Sequence, residues 1–237
     1  MSKAKAHVRY KLADGTRVPG VTTITGELGW NTRVLINWAN RIGLEGIEAS
    51  KYTDDKADIG TLAHLMITNK LQGIKTSTDD YSKNQIKAAK NSVKSFEAWT
   101  KGKKIEPIII EKQLVSEVHK FGGTLDILAK IDKIIELLDL KTGSGIYDEH
   151  LVQVGGGYTI LVEEHEYSFQ KVRILNIPRT NSERFYEEEN INIPACRKIF
   201  LNCLANYNLK KQIKNDNGKE DFAEFCRKVS DKKWQTK

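Results

Sequence analysis

Residues 107 to 141 hold three strand-forming segments in immediate succession: Pro107 to Val115, Gly123 to Lys130 and Lys133 to Lys141. Each is crowded with Ile, Leu or Val, side chains that fit a pleated, half-buried surface. The second and third lie too close for the crossover of a dozen or more residues that a parallel pair needs, so they must fold back on each other as a hairpin. The chain is thereby committed to a sheet, with these three strands expected at its centre.

On either side the hydrophobic period changes. From about Thr32 to Ser50, Leu35, Trp38, Ile42 and Ile47 recur at near-helical spacing. A second helix is expected from about Asp54 to Leu71, burying Ile59, Leu62, Ala63, Met66 and Ile67. A lysine-rich third helix is expected from Asp79 to Lys101, capped by Asp79 or Asp80 and closed by Gly102, with Ile86, Val93, Phe96 and Trp99 inward. Ahead of these, Asp14-Gly15 signals a hairpin between His7 to Leu12 and Arg17 to Pro19. After Gly143-Ser144-Gly145 come a helix from His150 to Glu164, a strand from Phe169 to Ile177 and a helix around Ala195 to Gln212.

This order predicts an α/β protein with a central mixed sheet flanked by helices, organised as one domain over 1–237. Its parts are a helical front of about 30–103, a core of about 104–180 and C-terminal helices of about 193–230. With 39% hydrophobic residues the 237-residue chain can bury such a core. No run approaches the roughly 18 apolar residues that cross a bilayer, and no apolar stretch follows the N-terminus, so a cytoplasmic protein without membrane contact is expected. Cys196, Cys203 and Cys226 suit neither a disulfide framework nor a four-ligand zinc site. The net charge of +7 permits a nucleic acid partner without demanding one.

The hairpin carries the chemistry. With Asp132-Lys133 as a two-residue turn, Asp126 lies opposite Asp139 and Thr124 opposite Lys141, all four on one face, while Leu125, Leu140, Ile127 and Leu138 share the other. Two facing carboxylates in an apolar hairpin repel, and one pKa must rise unless a cation sits between them. Oxygen ligands with room for water suit Mg²⁺ or Mn²⁺ better than zinc. Lys141 could then hold the attacking water or stabilise a phosphorane, a constellation that reads as phosphodiester hydrolysis. A surface Asp–Lys ion pair with Asp126 at an exposed strand edge would have the same spacing, and stays open at this point.

Gly60-Thr61-Leu62-Ala63-His64, Gly123-Thr124-Leu125-Asp126 and Asp139-Leu140-Lys141 occur in this order. The sequence so resembles the PD-(D/E)XK nuclease superfamily, RecB-type and phage exonuclease branch, through its G-x-x-x-H, G-x-x-D and D-x-K motifs. Gln153 to Tyr158 looks like the following Q-x-x-x-Y motif, and Asp14-Gly15 through Ile24 is similar to the N-terminal segment of phage-encoded members. The likeness covers about residues 10 to 210. It implies a restriction-endonuclease-like core, with the metal held by Asp126, Asp139 and the carbonyl of Leu140. Lys141 would be the catalytic lysine, and His64 would complete the metal site or meet the substrate phosphate. The implied activity is Mg²⁺-dependent, exonucleolytic DNA hydrolysis in phage-type recombination or DNA processing, with DNA ends as substrate and a single-strand annealing or recombination protein as a partner. A structure-specific or nicking endonuclease, or a catalytically silent DNA-binding module, are the alternatives.

Gln153 and Tyr158 depart from that pattern, being five residues apart instead of four. In a regular helix five residues turn through about 140° against about 40° for four, so the pair shares a face only if a π-bulge or a late helix start intervenes. Otherwise Gly155 to Gly157 would form a loop. The iron–sulfur branch of the superfamily has one early Cys and three clustered late ones, a pattern that this chain lacks, so no cluster is expected. Glu111, on the strand before the hairpin, could enter the site as a supporting or additional metal ligand, and Glu117 lies near the loop to Gly122-Gly123; by default both read as surface residues. Arg33, Arg41, Lys112, Lys120 and Arg179 are candidates to neutralise phosphate, and Trp30 or Phe121 to stack on an unpaired base.

Overall fold

The computed structural model describes residues 9–216. A small hairpin, β1 (Tyr10–Lys11) and β2 (Arg17–Val18), turns at Gly15 as its Asp-Gly pair predicts. After α1 (Val21–Thr25) come α2 (Thr32–Leu44), α3 (Ala49–Leu71) and α4 (Lys83–Thr100), then β3 (Ile105–Ser116), β4 (Phe121–Ile131) and β5 (Ile134–Lys141). A helical crossover leads to β6 (Lys171–Asn176), β7 (Tyr186–Glu188) and α7 (Ile193–Asp216). The central sheet has the order β3-β4-β5-β6-β7 and is mixed: only the β5–β6 pair is parallel. The predicted centre is displaced, because β6 and β7 add beyond β5 and leave β3 at the edge. β7 is three residues, Tyr-Glu-Glu, too short and polar to read as a strand.

Helices cover both faces. Ile67 of α3 and Phe96 and Trp99 of α4 pack on Ile127, Ala129, Leu138 and Leu140. On the opposite face α1, the crossover and α7 bury Phe121, Leu128, Leu137 and Phe200. The cap of α4 is Ser82, not Asp79 or Asp80. Its side chain accepts from the Gln85 backbone while Gln85 accepts from the Ser82 backbone, a reciprocal capping box. Gly102 closes the helix at φ 82°, as expected. Of the inward face predicted for α2, Ile42 is buried and Trp38 half-buried but Leu35 is 59% exposed, and the helix ends at Leu44, short of Ile47 and of the predicted Ser50.

Gly155 to Gly157 do not form a loop. α5 (Asp148–Leu151), a π-helical turn (Val152–Tyr158) and α6 (Thr159–Glu164) form one uninterrupted helical run. The three glycines serve close approach. A Cβ on Gly156 would stand 2.7 Å from the Cys196 carbonyl oxygen and 2.8 Å from Phe200 Cβ, so α7 seats directly on the π turn. Cys196 and Cys203 are buried on α7, while Cys226 and the end of the predicted C-terminal helices lie outside the described residues.

Candidate functional site

The hairpin has the predicted register over its tip, with Ile131 opposite Ile134 and Ile127 opposite Leu138. Asp132 occupies the left-handed region (φ 56°), and its backbone N–H and side chain are tied to the Lys104 backbone. Beyond Ile127 the ladder ends. The predicted pairings of Asp126 with Asp139 and Thr124 with Lys141 do not form, because β4 stays with β3 while β5 continues along β6. Asp126 fills the opening: its Oδ2 accepts the Leu140 backbone N–H at 2.8 Å. Alternation also breaks here. Leu125 joins the core with Leu128, while Ile127, Leu138 and Leu140 keep the other face.

The opposing residue on β3 shares the irregularity. Glu111 has φ 48°, a strained conformation for a residue with a Cβ, and the β3–β4 ladder skips it. It is exposed at the mouth of the opening, and its carboxylate, the His64 imidazole and Asp126 offer ligand atoms within 4.8 Å of one another. His64 arrives from α3, with Nδ1 3.5 Å from Asp126 Oδ2. Gly60, one turn earlier, allows that approach: a Cβ there would lie 2.7 Å from Thr142 Oγ1, just past the end of β5. Sequence reading left Glu111 on the surface. The available signal was a lone acid closing the Ile108-Ile109-Ile110 run on the strand before the hairpin.

Asp139 is 2% exposed. Lys141 Nζ stands 2.8 Å from its Oδ2 and is the cation paired with it. Burial, reinforced by Asp126, raises the Asp139 pKa against the opposing effect of Lys141 and His64. Burial would raise Asp126 too, but His64, Lys141 and the Leu140 N–H hold it below the ordinary range. Burial acts to lower His64, and the charge and hydrogen bond of Asp126 overcome it and raise the imidazole. Desolvation and Asp126 push Glu111 up to about 7. Three carboxyls and an imidazole thus meet one lysine, in a donor set of oxygen and imidazole nitrogen. Such a group can hold a divalent ion, and hard cations such as Mg²⁺ or Mn²⁺ suit it.

Gln153 and Tyr158 meet despite their spacing. The π turn brings residues five apart onto one face, and Gln153 Nε2 donates to Tyr158 Oη at 3.0 Å. Burial, with Asp139 and Asp126 nearby, holds the phenol well above its ordinary pKa, so Tyr158 stays neutral. Its ring leaves no room for a Cβ on Gly123, 2.7 Å from Tyr158 Cε1. Of the other candidates, Phe121 is fully buried in the core and cannot stack on a base. Trp30 is 50% exposed. Arg179 is engaged by Glu183, and Glu117 accepts the Ala13 N–H.

No family model matches the chain, and no curated protein matches its sequence. Among solved structures it is similar to SSO0001, at 13% identity over 84% of this chain and 79% of that one, with a TM-score of 0.38. It is also similar to a candidate exonuclease from Eubacterium rectale, at 12% identity over 69% of each chain, with a TM-score of 0.44.

Proposed function

We propose that this chain is a metal-dependent deoxyribonuclease of the PD-(D/E)XK type, hydrolysing DNA phosphodiester bonds from an end. The observation that carries the reading is the convergence of His64, Glu111 and Asp126 where β4 and β5 part, beside the buried Asp139–Lys141 ion pair. Asp126, Asp139, His64 and Glu111 would hold the ion, with the Leu140 carbonyl as a main-chain ligand. A bound divalent ion supplies activation of water and neutralisation of phosphate charge. Lys141, held beside Asp139, orients the nucleophilic water and donates to the phosphoryl oxygens as negative charge builds on them. Gln153 and neutral Tyr158 form a fixed polar pair beside the carboxylates and position them. The set belongs to hydrolysis by direct attack of water, without a covalent enzyme intermediate. A role in phage-type recombination or DNA processing accords with this reading.

The test is cleavage of end-labelled linear duplex, linear single-stranded and closed circular DNA with Mg²⁺, Mn²⁺ or EDTA, wild type beside Lys141→Ala. Metal-dependent loss of linear DNA that spares circles and falls by about 10²–10³-fold in the variant is expected. Cutting of circles would make the enzyme an endonuclease. DNA binding with no cleavage under any metal would overturn the catalytic reading.

A further inference from the structure

One helix outside the candidate centre carries an unusual charge pattern. On α4, Lys83, Lys87, Lys90 and Lys94 follow one another at intervals of four, three and four residues, which puts them in a single row along the helix. All four are exposed, and none makes a side-chain hydrogen bond or ion pair with a described residue. Several lysines elsewhere, Lys51, Lys70, Lys104, Lys141, Lys171 and Lys210, sit against carboxylates; what sets α4 apart is four unpaired ones in one row. The single acid within α4, Glu97, is taken by Lys70. Four like charges one turn apart repel, and a helix carries them at a cost that a polyanion would remove.

The row is also a groove. Lys83, Ile86, Lys87, Lys90, Asn91 and Lys94 line a shallow depression, and a second one continues from Asn91 and Lys94 to Pro178, Thr180 and Asn181. Asn91 donates to the Arg179 carbonyl, and the Arg179 guanidinium lies beside Gly143, two residues past Lys141. The opposite side of α4 packs on α3, the helix that brings His64 to the centre. Glu183 also lines the second depression and pairs with Arg179, so the basic surface is the row on α4 itself. From Lys83 to Lys94 the helix rises about 16 Å, the axial length of about five phosphates on one DNA strand.

We infer that the lysine row of α4 is a phosphate-tracking surface that binds the backbone of DNA outside the catalytic centre, independently of base sequence. The inference rests on the DNA reading above but not on cleavage. Its test is binding, in EDTA, of labelled duplex and single-stranded oligonucleotides across a salt series. The variant is Lys83→Gln/Lys87→Gln/Lys90→Gln/Lys94→Gln, which keeps helix-forming side chains, with helicity checked by circular dichroism. A charge-matched control replaces Lys11, Lys51, Lys130 and Lys133 by Gln. If each lysine meets one phosphate, the slope of log K against log salt should shrink by about 3.6 for duplex or about 2.8 for single strands, and the control should keep the wild-type slope. Whether the slope shrinks with duplex, with single strands or with both identifies which form of DNA the row follows. An unchanged slope in a folded α4 variant, or an equal change in the control, would overturn the inference. Wild-type DNA that binds through the row but is never cut would overturn the proposed catalysis and leave the row standing.

Discussion

Glu111 shows how a single residue reveals a site. Its φ of 48° costs on the order of 1 kcal/mol or more, and that strain aims a carboxyl at His64 and Asp126. Because its carboxyl is pushed up to about 7, it holds a proton in acid, and an incoming cation must displace that proton. Metal affinity should therefore fall as pH drops from 8 to 6, with protons released on binding near neutrality. Calorimetric titration of Mn²⁺ in buffers of different ionisation enthalpy measures both, and Glu111→Gln should flatten the dependence. A second consequence follows for the metal-free protein. Glu111 and Asp139 both have native pKa values above their ordinary 4.5 and 3.8. Their contribution to stability is present below those ordinary values and is lost as pH rises through the raised ones, to about 7. Added Mn²⁺ should thus raise the melting temperature more at pH 8 than at pH 5.

At the scale of elements, the π turn and the helix it seats on depend on small residues. Gly156→Ala would drive a methyl against the Cys196 carbonyl and should destabilise by about 1–3 kcal/mol in urea denaturation. Gly43→Ala in α2, with nothing within 4 Å of the added methyl, should be neutral or stabilise by up to about 1 kcal/mol. The contrast separates packing from helix propensity. What could be read in the sequence follows the same division. β4 and β5 announce themselves by apolar runs across a two-residue turn, so the register of Ile127 with Leu138 was legible. The parting of the strands beyond it was not, since it depends on β6 capturing β5 from thirty residues away in sequence. The outward face of α2 escaped for the opposite reason: its apolar residues have helical spacing whether or not anything covers them. Asp126, Asp139, Lys141 and His64 stand in motifs, whereas Glu111 is marked only as a lone acid after an apolar run, and the positive φ at that position has no signal in the sequence.

For the whole molecule, the parted sheet concentrates uncompensated negative charge at one point between the helical layers. A cation that binds only the native state should stabilise it by about 2.7 kcal/mol at a hundredfold excess over its Kd, visible as an EDTA-reversible rise in melting temperature. Asp139→Asn should abolish that rise, because it removes a buried carboxylate from the donor set. The π turn has a consequence for how chains of this architecture vary. It acts as a phase shifter in the crossover rod: one additional residue is absorbed within a single widened turn, and Gln153 and Tyr158 still arrive on the same bearing. Four-residue and five-residue intervals are then interchangeable at this point, provided that small residues fill the widened turn. Chains differing there by one residue in length can present the same polar pair to the same carboxylates.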